Sequence, residues 1–280
     1  MKFAVLITCY NRVDKTMICL RHLFDARLVA DWSFDVWVND DGCTDGTKVR
    51  VLREFPMIHF VKGSGHDYWC GGMRRSWRAA AQHFDYDGYL WLNDDTAVKP
   101  YVFEMLFGRE GCGVNAEILV AATCGEDGVA TYGGEDDSGF VVPDGTWRRI
   151  RQMNGNIVWV PRVVYKKLGN FPGYLTHALG DCDYSRRANT EGVPVMLAPH
   201  YGGVCEKNAR IPAWKDPTMS LAARLKSLYS PLSGGEPRVL FRYCLEHDGF
   251  VTAMKLLVTN HLQACFPRLC AKKRRSRNNG

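Results

Sequence analysis

The sequence predicts an α/β fold in which helices flank a mostly parallel sheet and a helical extension follows at the C-terminal end. Over the first hundred residues, short apolar runs alternate with helix-like segments, which is the pattern of strands joined by helical crossovers. Apolar residues make up 46% of the 280-residue chain and aromatic residues 12%, too much for a disordered chain. After Pro212 the composition becomes basic and helical, which indicates the extension.

Four strands are expected in the first hundred residues because four short runs are almost entirely apolar, as in strands that are covered on both faces. These runs are residues 3–7, 34–38, 58–61 and 88–92. The segments between them are residues 15–28, 47–55 and 74–83. The first and last of these segments are expected to be helices.

In the second half of the chain, the apolar runs follow a different pattern. Glycines punctuate short β-prone runs over residues 118–123, 140–142 and 157–160, which should extend or cap the sheet. Helices are expected over 162–168 and 181–191, followed by a last strand over 194–198. Further helices are expected over 221–228, 238–245 and 249–265. We therefore divide the chain into a main domain, 1–215, with halves 1–100 and 101–215, and a basic helical extension, 216–280, that ends in a disordered tail.

Charge and cysteine content exclude several classes of protein. Eleven cysteines without a Cys-x-x-Cys pair fit neither a disulfide framework nor a zinc ribbon, and they indicate a reducing compartment. No apolar stretch reaches the ~18 residues of a membrane span, and polar residues end the first apolar run too soon for a secretory signal. The net charge of +6 is concentrated in residues 218–280, with eleven Lys and Arg against three Asp and Glu. We expect a cytoplasmic protein that contacts the inner face of the cell membrane peripherally.

Three of the predicted strands end in polar or acidic loops. Residues 8–12 read Thr-Cys-Tyr-Asn-Arg, residues 39–46 read Asn-Asp-Asp-Gly-Cys-Thr-Asp-Gly, and residues 93–96 read Asn-Asp-Asp-Thr. Because ligands bind at the carboxyl ends of strands in open α/β sheets, these loops should converge on one site. Taken alone, the acidic loop after the second strand could equally be a polar turn that caps the next helix.

Asp94 and Asp95 form a carboxylate pair at the end of the fourth strand. Like charges this close raise each other's pKa unless a cation or hydrogen bonds compensate. Mg²⁺ and Mn²⁺ suit this role because proteins hold them with one or two carboxylates plus the phosphates of a substrate. The alternative is that the two aspartates cap a helix that starts near Pro100. The two companion loops favour the metal site.

In this order, the three motifs resemble those of the inverting family 2 glycosyltransferases of the GT-A fold, in particular rhamnosyltransferase-like enzymes of bacterial surface polysaccharides. The resemblance covers residues 3–205 and includes three further segments: Tyr68-Trp-Cys-Gly-Gly72, Asn154-Gly-Asn156, and Gly180-Asp-Cys-Asp-Tyr184 with Arg187. It implies a hexosyltransferase with a nucleotide-sugar-binding half, 1–100, and an acceptor-binding half, 101–215. The donor would be a UDP-, dTDP- or GDP-sugar, the acceptor a glycan or lipid-linked glycan, and the metal Mn²⁺ or Mg²⁺.

The resemblance also implies site residues. Asp95 would coordinate the metal, Asp94 would face the ribose or the metal, and Asp40 or Asp41 would bond to the base. Asn156 would supply an amide partner for sugar hydroxyls. The residues expected to bind the nucleotide sugar are Thr8, Tyr10, Arg12, Asp40, Asp41, Trp69, Gly72, Arg75, Asp94 and Asn156.

The general base of such enzymes is an Asp near the acceptor, and Asp181 occupies that position of the motif, with Asp183 as the second choice. The alternative for both is that helix N-termini simply favour carboxylates. Two positions depart from the family pattern: Gly180 replaces a Glu, and Cys205 stands near the place of a late His that completes the metal shell. His200 is the possible substitute ligand.

Two site residues have a plain structural alternative. Trp69 is expected to stack on a sugar, with the neighbouring glycines allowing close approach, but aromatic residues at such positions are often core residues. Arg75, with Arg74, is expected to meet phosphate, but both could be surface residues.

Other function classes are less well supported by the sequence. A nucleotidyltransferase would carry a Gly-rich phosphate loop near the first strand, and none is present. The basic cluster over residues 272–277 could bind polyanions weakly, but no nucleic-acid-binding fold accompanies it, so no specific nucleic acid is expected. A non-catalytic carbohydrate-binding relative would have lost the carboxylates, which are present. The basic extension should bind anionic membrane surfaces, unless its helices pack on the main domain.

Overall fold

A computed structural model describes residues 1–108, 116–207 and 211–268, and its largest element is a mixed sheet of eight strands. The chain divides into two compact units. The first comprises residues 1–176 and 180–207, and the second comprises 177–179 and 208–280. The α/β fold predicted from the sequence is confirmed. The functional halves and the disordered tail stay predictions, and the basic run 272–277 lies outside the described residues.

The first half of the first unit alternates strands and helices, as predicted. Its strands are β1 (Lys2–Cys9), β2 (Ser33–Asp40), β3 (His59–Lys62), β4 (Gly88–Leu92) and β5 (Ala97–Val98). Its helices are α1 (Val13–Asp25), α2 (Thr47–Glu54), α3 (Tyr68–His83) and α4 (Val102–Phe107).

The second half of this unit consists mainly of short strands. The strands are β6 (Ile118–Val120), β7 (Thr123–Cys124), β8 (Ala130–Tyr132), β9 (Gly134–Asp136), β10 (Gly139–Val141), β11 (Arg148–Arg149), β12 (Gln152–Met153), β13 (Ile157–Pro161), β14 (Val195–Leu197) and β15 (Gly203–Val204). The helices are α5 (Arg162–Leu168) and α6 (Gly180–Thr190).

The order of strands in the main sheet is β11-β14-β6-β13-β4-β1-β2-β3. The run β4-β1-β2-β3 is entirely parallel, whereas β13 is antiparallel to both of its neighbours. The predicted strand over 157–160 therefore extends the main sheet, and the one over 140–142 belongs to a separate small sheet, β10-β9-β12. The parallel run places the carboxyl ends of β1, β2 and β4 along one edge.

Both faces of the central strands are buried, which explains why their sequences are apolar without alternation. Phe3 of β1 packs against Phe103 and Trp159 on one face. On the other face, Trp77 of α3 contacts Trp91 of β4 and Tyr184 of α6. These aromatic clusters fix α3, α4 and α6 on the sheet that carries the polar loops.

The second unit is helical. It contains α7 (Leu221–Leu228), α8 (Pro237–His247), α9 (Phe250–Cys265) and two short 3₁₀ turns. Trp214, Leu228 and Ala264 form its small core, and the buried guanidinium of Arg224 donates to the carbonyl oxygen of Ala264 at 2.6 Å. Within the described ranges, no helix combines the length and the hydrophobicity that a membrane crossing requires.

Helix α3 differs from the sequence prediction because it begins at Tyr68, six residues before the predicted start at Arg74. Gly71 and Gly72, which precede the predicted helix, lie inside the first turns of α3. A Cβ atom at Gly72 would lie 2.1 Å from the Thr8 hydroxyl oxygen, so only glycine lets the helix approach the ends of β1 and β2 this closely. Tertiary packing outweighs the ~1 kcal/mol that a glycine costs in a helix.

The variant Gly72→Ala is expected to lower the free energy of unfolding by about 1–3 kcal/mol, the usual cost of overpacking a buried contact. The measurement is urea unfolding followed by circular dichroism. Gly173→Ala is the matched control because no atom lies within 4 Å of the added Cβ. Equal stability of the two variants would contradict the close approach of α3.

Candidate functional site

Arg12 joins the ends of β1 and β4. Its guanidinium donates to the Asp95 carboxylate at 2.9 Å and also bonds to the Asp94 carboxylate. Because β1 and β4 are adjacent parallel strands, both loops leave the sheet at the same edge. The structure thus brings these two loops together, as the sequence predicts.

The carboxylate pair is unevenly exposed. Asp94 is 1% exposed, and burial raises its pKa to about 7, although the Arg12 charge opposes this shift and the Asp95 charge adds to it. The hydroxyl of Thr16 donates a further, longer hydrogen bond to Asp94, 3.4 Å. A buried carboxylate of this kind is stabilised by any cation at the site, and in this structure the cation is a guanidinium.

The side chains around Asp94 and Asp95 supply some, but not all, of the ligand atoms that a divalent cation needs. Two carboxylates directed at one positive group are the kind of ligand set that proteins supply to Mg²⁺ or Mn²⁺ when substrate phosphates provide the remaining ligands. Within the described residues, no group of three or more His, Cys, Asp and Glu side chains is arranged to hold a metal alone. The Cys205 sulfur lies 3.7 Å from an Asp95 oxygen. His200 is exposed and is in no described contact with either aspartate, so its role as a metal ligand stays a prediction.

The two aspartates at the end of β2, Asp40 within the strand and Asp41 just after it, have different roles. Asp41 is 4% exposed and accepts three backbone N–H groups, from Gly65 at 2.9 Å, Asp67 at 3.0 Å and Tyr68 at 2.9 Å. It therefore holds the loop that starts α3. Asp40 is half-buried and accepts the N–H of Cys43 at 2.7 Å through one oxygen. Of the two, Asp40 is the carboxylate that remains available to a ligand.

Thr8 and Tyr10 flank the end of β1 in opposite environments. The Thr8 hydroxyl is buried against Gly72 and accepts a hydrogen bond from the Asn39 amide at 3.3 Å. Thr8 therefore packs α3 onto the ends of β1 and β2. The Tyr10 side chain is 55% exposed. Tyr10 directly follows Cys9, which pairs with Asp40 of β2, and an exposed ring at such a strand end can stack on a planar ligand.

A chain of side-chain hydrogen bonds runs from Trp69 through Asn93, which precedes Asp94, to Asn156 in the second half of the unit. The Trp69 indole N–H donates to the Asn93 amide oxygen at 2.6 Å, and the Asn93 amide nitrogen donates to the Asn156 amide oxygen at 2.6 Å. A Cβ atom at Gly155 would lie 2.5 Å from the Trp69 ring. The partly exposed Trp69 ring is thus fixed against Gly155. Sequence reasoning missed Asn93, although it directly precedes the aspartate pair.

Asp181 lies at the start of α6 and hydrogen-bonds to Gly155, the residue that packs against the Trp69 ring. One carboxylate oxygen accepts the Gly155 N–H at 3.0 Å, and the other accepts the Cys182 N–H at 2.9 Å. Burial raises the pKa of Asp181, although these backbone N–H groups oppose the shift. The structure therefore connects Asp181 through Gly155 and Trp69 to the residue that precedes Asp94.

Three predicted site residues, Asp183, Arg75 and Gly72, are held by contacts within the scaffold. Asp183 is buried and pairs with Arg187 at 2.8 Å, and Arg187 also donates to the Leu168 carbonyl oxygen. Arg75 forms a two-point ion pair with Asp67, at 2.7 and 2.9 Å.

These contacts separate the three residues into roles. Asp183 positions α6 through a buried ion pair. Arg75 ties α3 to its own preceding loop. Gly72 fits α3 onto β1. None of the three is in described contact with Asp94 or Asp95.

Solved structures share this fold at low sequence identity. S. aureus TarS 1–349 in complex with UDP-GlcNAc aligns with a TM-score of 0.55 and 12% identity over 96% of this chain and 73% of that chain. The mannosyltransferase PcManGT from Pyrobaculum calidifontis, with GDP-Man and Mn²⁺, gives 0.54 and 14% over 92% and 73%. GalNAc-T7 with UDP, GalNAc and Mn²⁺ gives 0.55 and 12% over 94% and 57%.

These similarities confirm the predicted GT-A fold and, at such identities, nothing finer. No protein-family model matches the chain, and no curated protein matches it. The family 2 and rhamnosyltransferase-like assignment therefore stays a prediction.

The variant Asp41→Asn is expected to destabilise the fold by about 1.5–3 kcal/mol, the range for hydrogen bonds to a charged group. An amide would place a donor against one of the three N–H groups that the carboxylate accepts. Urea unfolding measures the loss. Asp14→Asn is the control because that carboxylate is 79% exposed; a loss equal to the control's would show that Asp41 does not hold the loop.

Proposed function

We propose that this protein is a metal-dependent, inverting glycosyltransferase that uses a nucleotide-diphosphate sugar. The observation that carries this proposal is the continuous arrangement of Asp94 and Asp95, joined by Arg12, with Trp69 between them and Asp181. An acidic pair that holds a cation and a separate, half-buried carboxylate are the two elements that such a transfer needs. The shared fold with transferases solved with UDP-GlcNAc and with GDP-Man supports it.

The nucleotide would occupy the ends of β1 and β2. Tyr10 offers an exposed ring for the base, and Asp40 offers a carboxylate that can accept a ring N–H of uracil, thymine or guanine. UDP-, dTDP- and GDP-sugars all carry such a group. Asn156 and Trp69 would contact the sugar, because both lie on the path from the acidic pair to Asp181.

Asp95 and Asp94 would hold Mn²⁺ or Mg²⁺ beside the diphosphate, and the ion would supply charge stabilisation to the leaving group. Arg12 is the positive group that the chain itself provides at this position. A guanidinium that pairs with carboxylates can pair with phosphate oxygens by the same geometry. Arg12 therefore contributes positive charge where the departing diphosphate becomes more negative.

Asp181 would act as the general base. The acceptor hydroxyl oxygen forms a bond to the anomeric carbon while the bond from that carbon to the diphosphate breaks, and Asp181 takes the hydroxyl proton. Attack from the face opposite the diphosphate inverts the anomeric configuration. The raised pKa of Asp181 makes it a stronger proton acceptor than an ordinary aspartate.

The acceptor would be a glycan or lipid-linked glycan of a bacterial surface polysaccharide, and α9 would bring the enzyme to an anionic membrane. Residues at four-residue spacing on α9, and one just beyond it, expose apolar side chains: Phe250, Met254, Val258, Leu262 and Phe266. This spacing forms one stripe along a helix. Exposed apolar stripes occur on helices that lie in a membrane interface, and α9 carries one lysine, Lys255.

Asp95→Ala is expected to abolish Mn²⁺-dependent turnover and to weaken Mn²⁺ binding measured by electron paramagnetic resonance. Truncation removes a cation ligand from a partly exposed side chain, so the fold should persist. Asp25→Ala, at an exposed position on α1, is the control and should keep both properties. Full activity of Asp95→Ala in the presence of EDTA would overturn the metal site.

Asp181→Asn is expected to lower kcat by about 10²–10⁴-fold, as for a lost general base, while binding of the nucleoside diphosphate survives. In the unmodified enzyme, kcat should rise with pH through a pKa above the ordinary aspartate value of 3.8, because the base acts deprotonated. Glu191→Gln, at the exposed end of α6, is the control. A product with retained anomeric configuration, seen by NMR, would refute this role.

Vesicle co-sedimentation tests the membrane contact. The full chain should pellet with anionic vesicles, less so at high salt, since each Lys or Arg near the surface contributes ~1 kcal/mol. Val258→Asp with Leu262→Asp should reduce pelleting more than a single Thr259→Asp, which adds charge at an exposed polar position. Absence of the unmodified protein from the pellet at low salt would exclude the membrane contact.

A further inference from the structure

Two cysteines meet where β1 and β2 end. Cys9 is the last residue of β1, and Cys43 follows β2 by three residues. Their sulfur atoms lie 3.9 Å apart, which is van der Waals contact. Cys9 is 2% exposed, whereas Cys43 is half-buried. One thiol is therefore accessible to a dissolved reagent and the other is directly behind it.

The surroundings of the two sulfurs differ in a way that activates the outer one. The backbone N–H of Asn11 donates to the Cys43 sulfur at 3.3 Å. The hydrogen bond from Cys9, followed by the one from Asn11, lowers the pKa of Cys43, although burial and the Asp40 carboxylate oppose this shift. The same contact with Cys43, followed by burial, raises the pKa of Cys9. The thiolate, which is the nucleophilic form, is thus favoured at the accessible position.

The backbone conformation keeps the sulfur atoms of Cys9 and Cys43 close enough to form a disulfide. The Asp40 carboxylate accepts the Cys43 N–H at 2.7 Å, and Gly42 adopts a φ of +86° that turns the loop back toward β1. A disulfide requires the sulfurs at about 2.05 Å. The remaining approach, about 2 Å, is of the size that a change of side-chain rotamer supplies.

We propose that Cys9 and Cys43 form an oxidant-sensitive dithiol that closes to a reversible disulfide across the ends of β1 and β2. A peroxide would be the oxidant. The Cys43 thiolate attacks one peroxide oxygen, the O–O bond breaks, and one water leaves after protonation, which gives a sulfenic acid on Cys43. The Cys9 sulfur then attacks the Cys43 sulfur and a second water leaves with the Cys9 proton. Reduction by a dithiol restores both thiols.

The disulfide would alter the loop that carries Asp40. Closing the bond draws Cys43 toward β1, and the hydrogen bonds from Cys43 to Asp40 and from Thr44 to Asn11 both depend on that loop. Asp40 is the carboxylate assigned to the nucleotide base. The consequence, which depends on the proposed function, is that oxidation weakens binding of the nucleoside diphosphate and reduction restores it.

The test is treatment of the full-length protein with hydrogen peroxide, followed by alkylation, proteolysis and mass spectrometry. A cross-linked peptide pair containing Cys9 and Cys43 is expected, and dithiothreitol should remove it. Cys9→Ala should leave Cys43 as a sulfenic acid that dimedone traps. Cys265→Ser is the control because that half-buried thiol lies on α9, and it should not change the cross-link. Absence of the cross-link, or oxidation of Cys43 no faster than of Cys265, would overturn the dithiol.

A second measurement separates this proposal from the proposed function. UDP, GDP and dTDP are titrated into the reduced and the oxidised protein by calorimetry. The effect on the nucleotide site is supported if oxidation abolishes binding and dithiothreitol restores it. The Cys43→Ser variant should show no loss of binding after the same oxidation. A cross-link without any change in binding would refute that effect alone. A reduced protein that binds no nucleotide would refute the proposed function and leave the dithiol supported by its cross-link.

Discussion

The contact of Arg12 with two adjacent carboxylates is the interaction on which the candidate site depends. Asp94 and Asp95 lie at one strand end, where their charges repel and burial of Asp94 raises its pKa. A cation from the loop that follows the neighbouring strand makes this arrangement tolerable. That cation reaches both carboxylates because β1 and β4 are parallel and adjacent. The sheet topology thus creates an acidic pair that is stabilised by the Arg12 charge and, at Asp94, by a longer hydrogen bond from Thr16, which suits a site for a metal ion and a diphosphate.

The rest of the site is organised by close backbone approach at glycines. Gly72 lets α3 lie against the end of β1, and Gly155 lets the Trp69 ring lie against the loop before β13. Asp41 anchors the start of the same helix through three backbone N–H groups. The position of Trp69 between the acidic pair and Asp181 therefore results from packing within the scaffold and exists before any ligand arrives.

Much of this could be predicted from sequence because the signals are local. Buried parallel strands are apolar throughout, and polar loops after them mark the ligand edge. The prediction failed where long-range packing decides. The predicted start of α3 at Arg74 is six residues too late, since glycine opposes helices and the contact of Gly72 with Thr8 is not visible in sequence. Sequence also could not choose between Asp40 and Asp41 as the partner of a base, because it does not show that Asp41 accepts three backbone N–H groups.

The central claim is that the ends of β1, β2 and β4 form one site for a nucleoside diphosphate and a divalent cation. Isothermal titration calorimetry of UDP, GDP and dTDP, each with and without Mn²⁺, tests it most directly. We expect one of the three nucleoside diphosphates to bind, and Mn²⁺ to tighten its binding. Failure of all three to bind in the presence of Mn²⁺, by a protein whose circular dichroism spectrum shows it to be folded, would contradict the account.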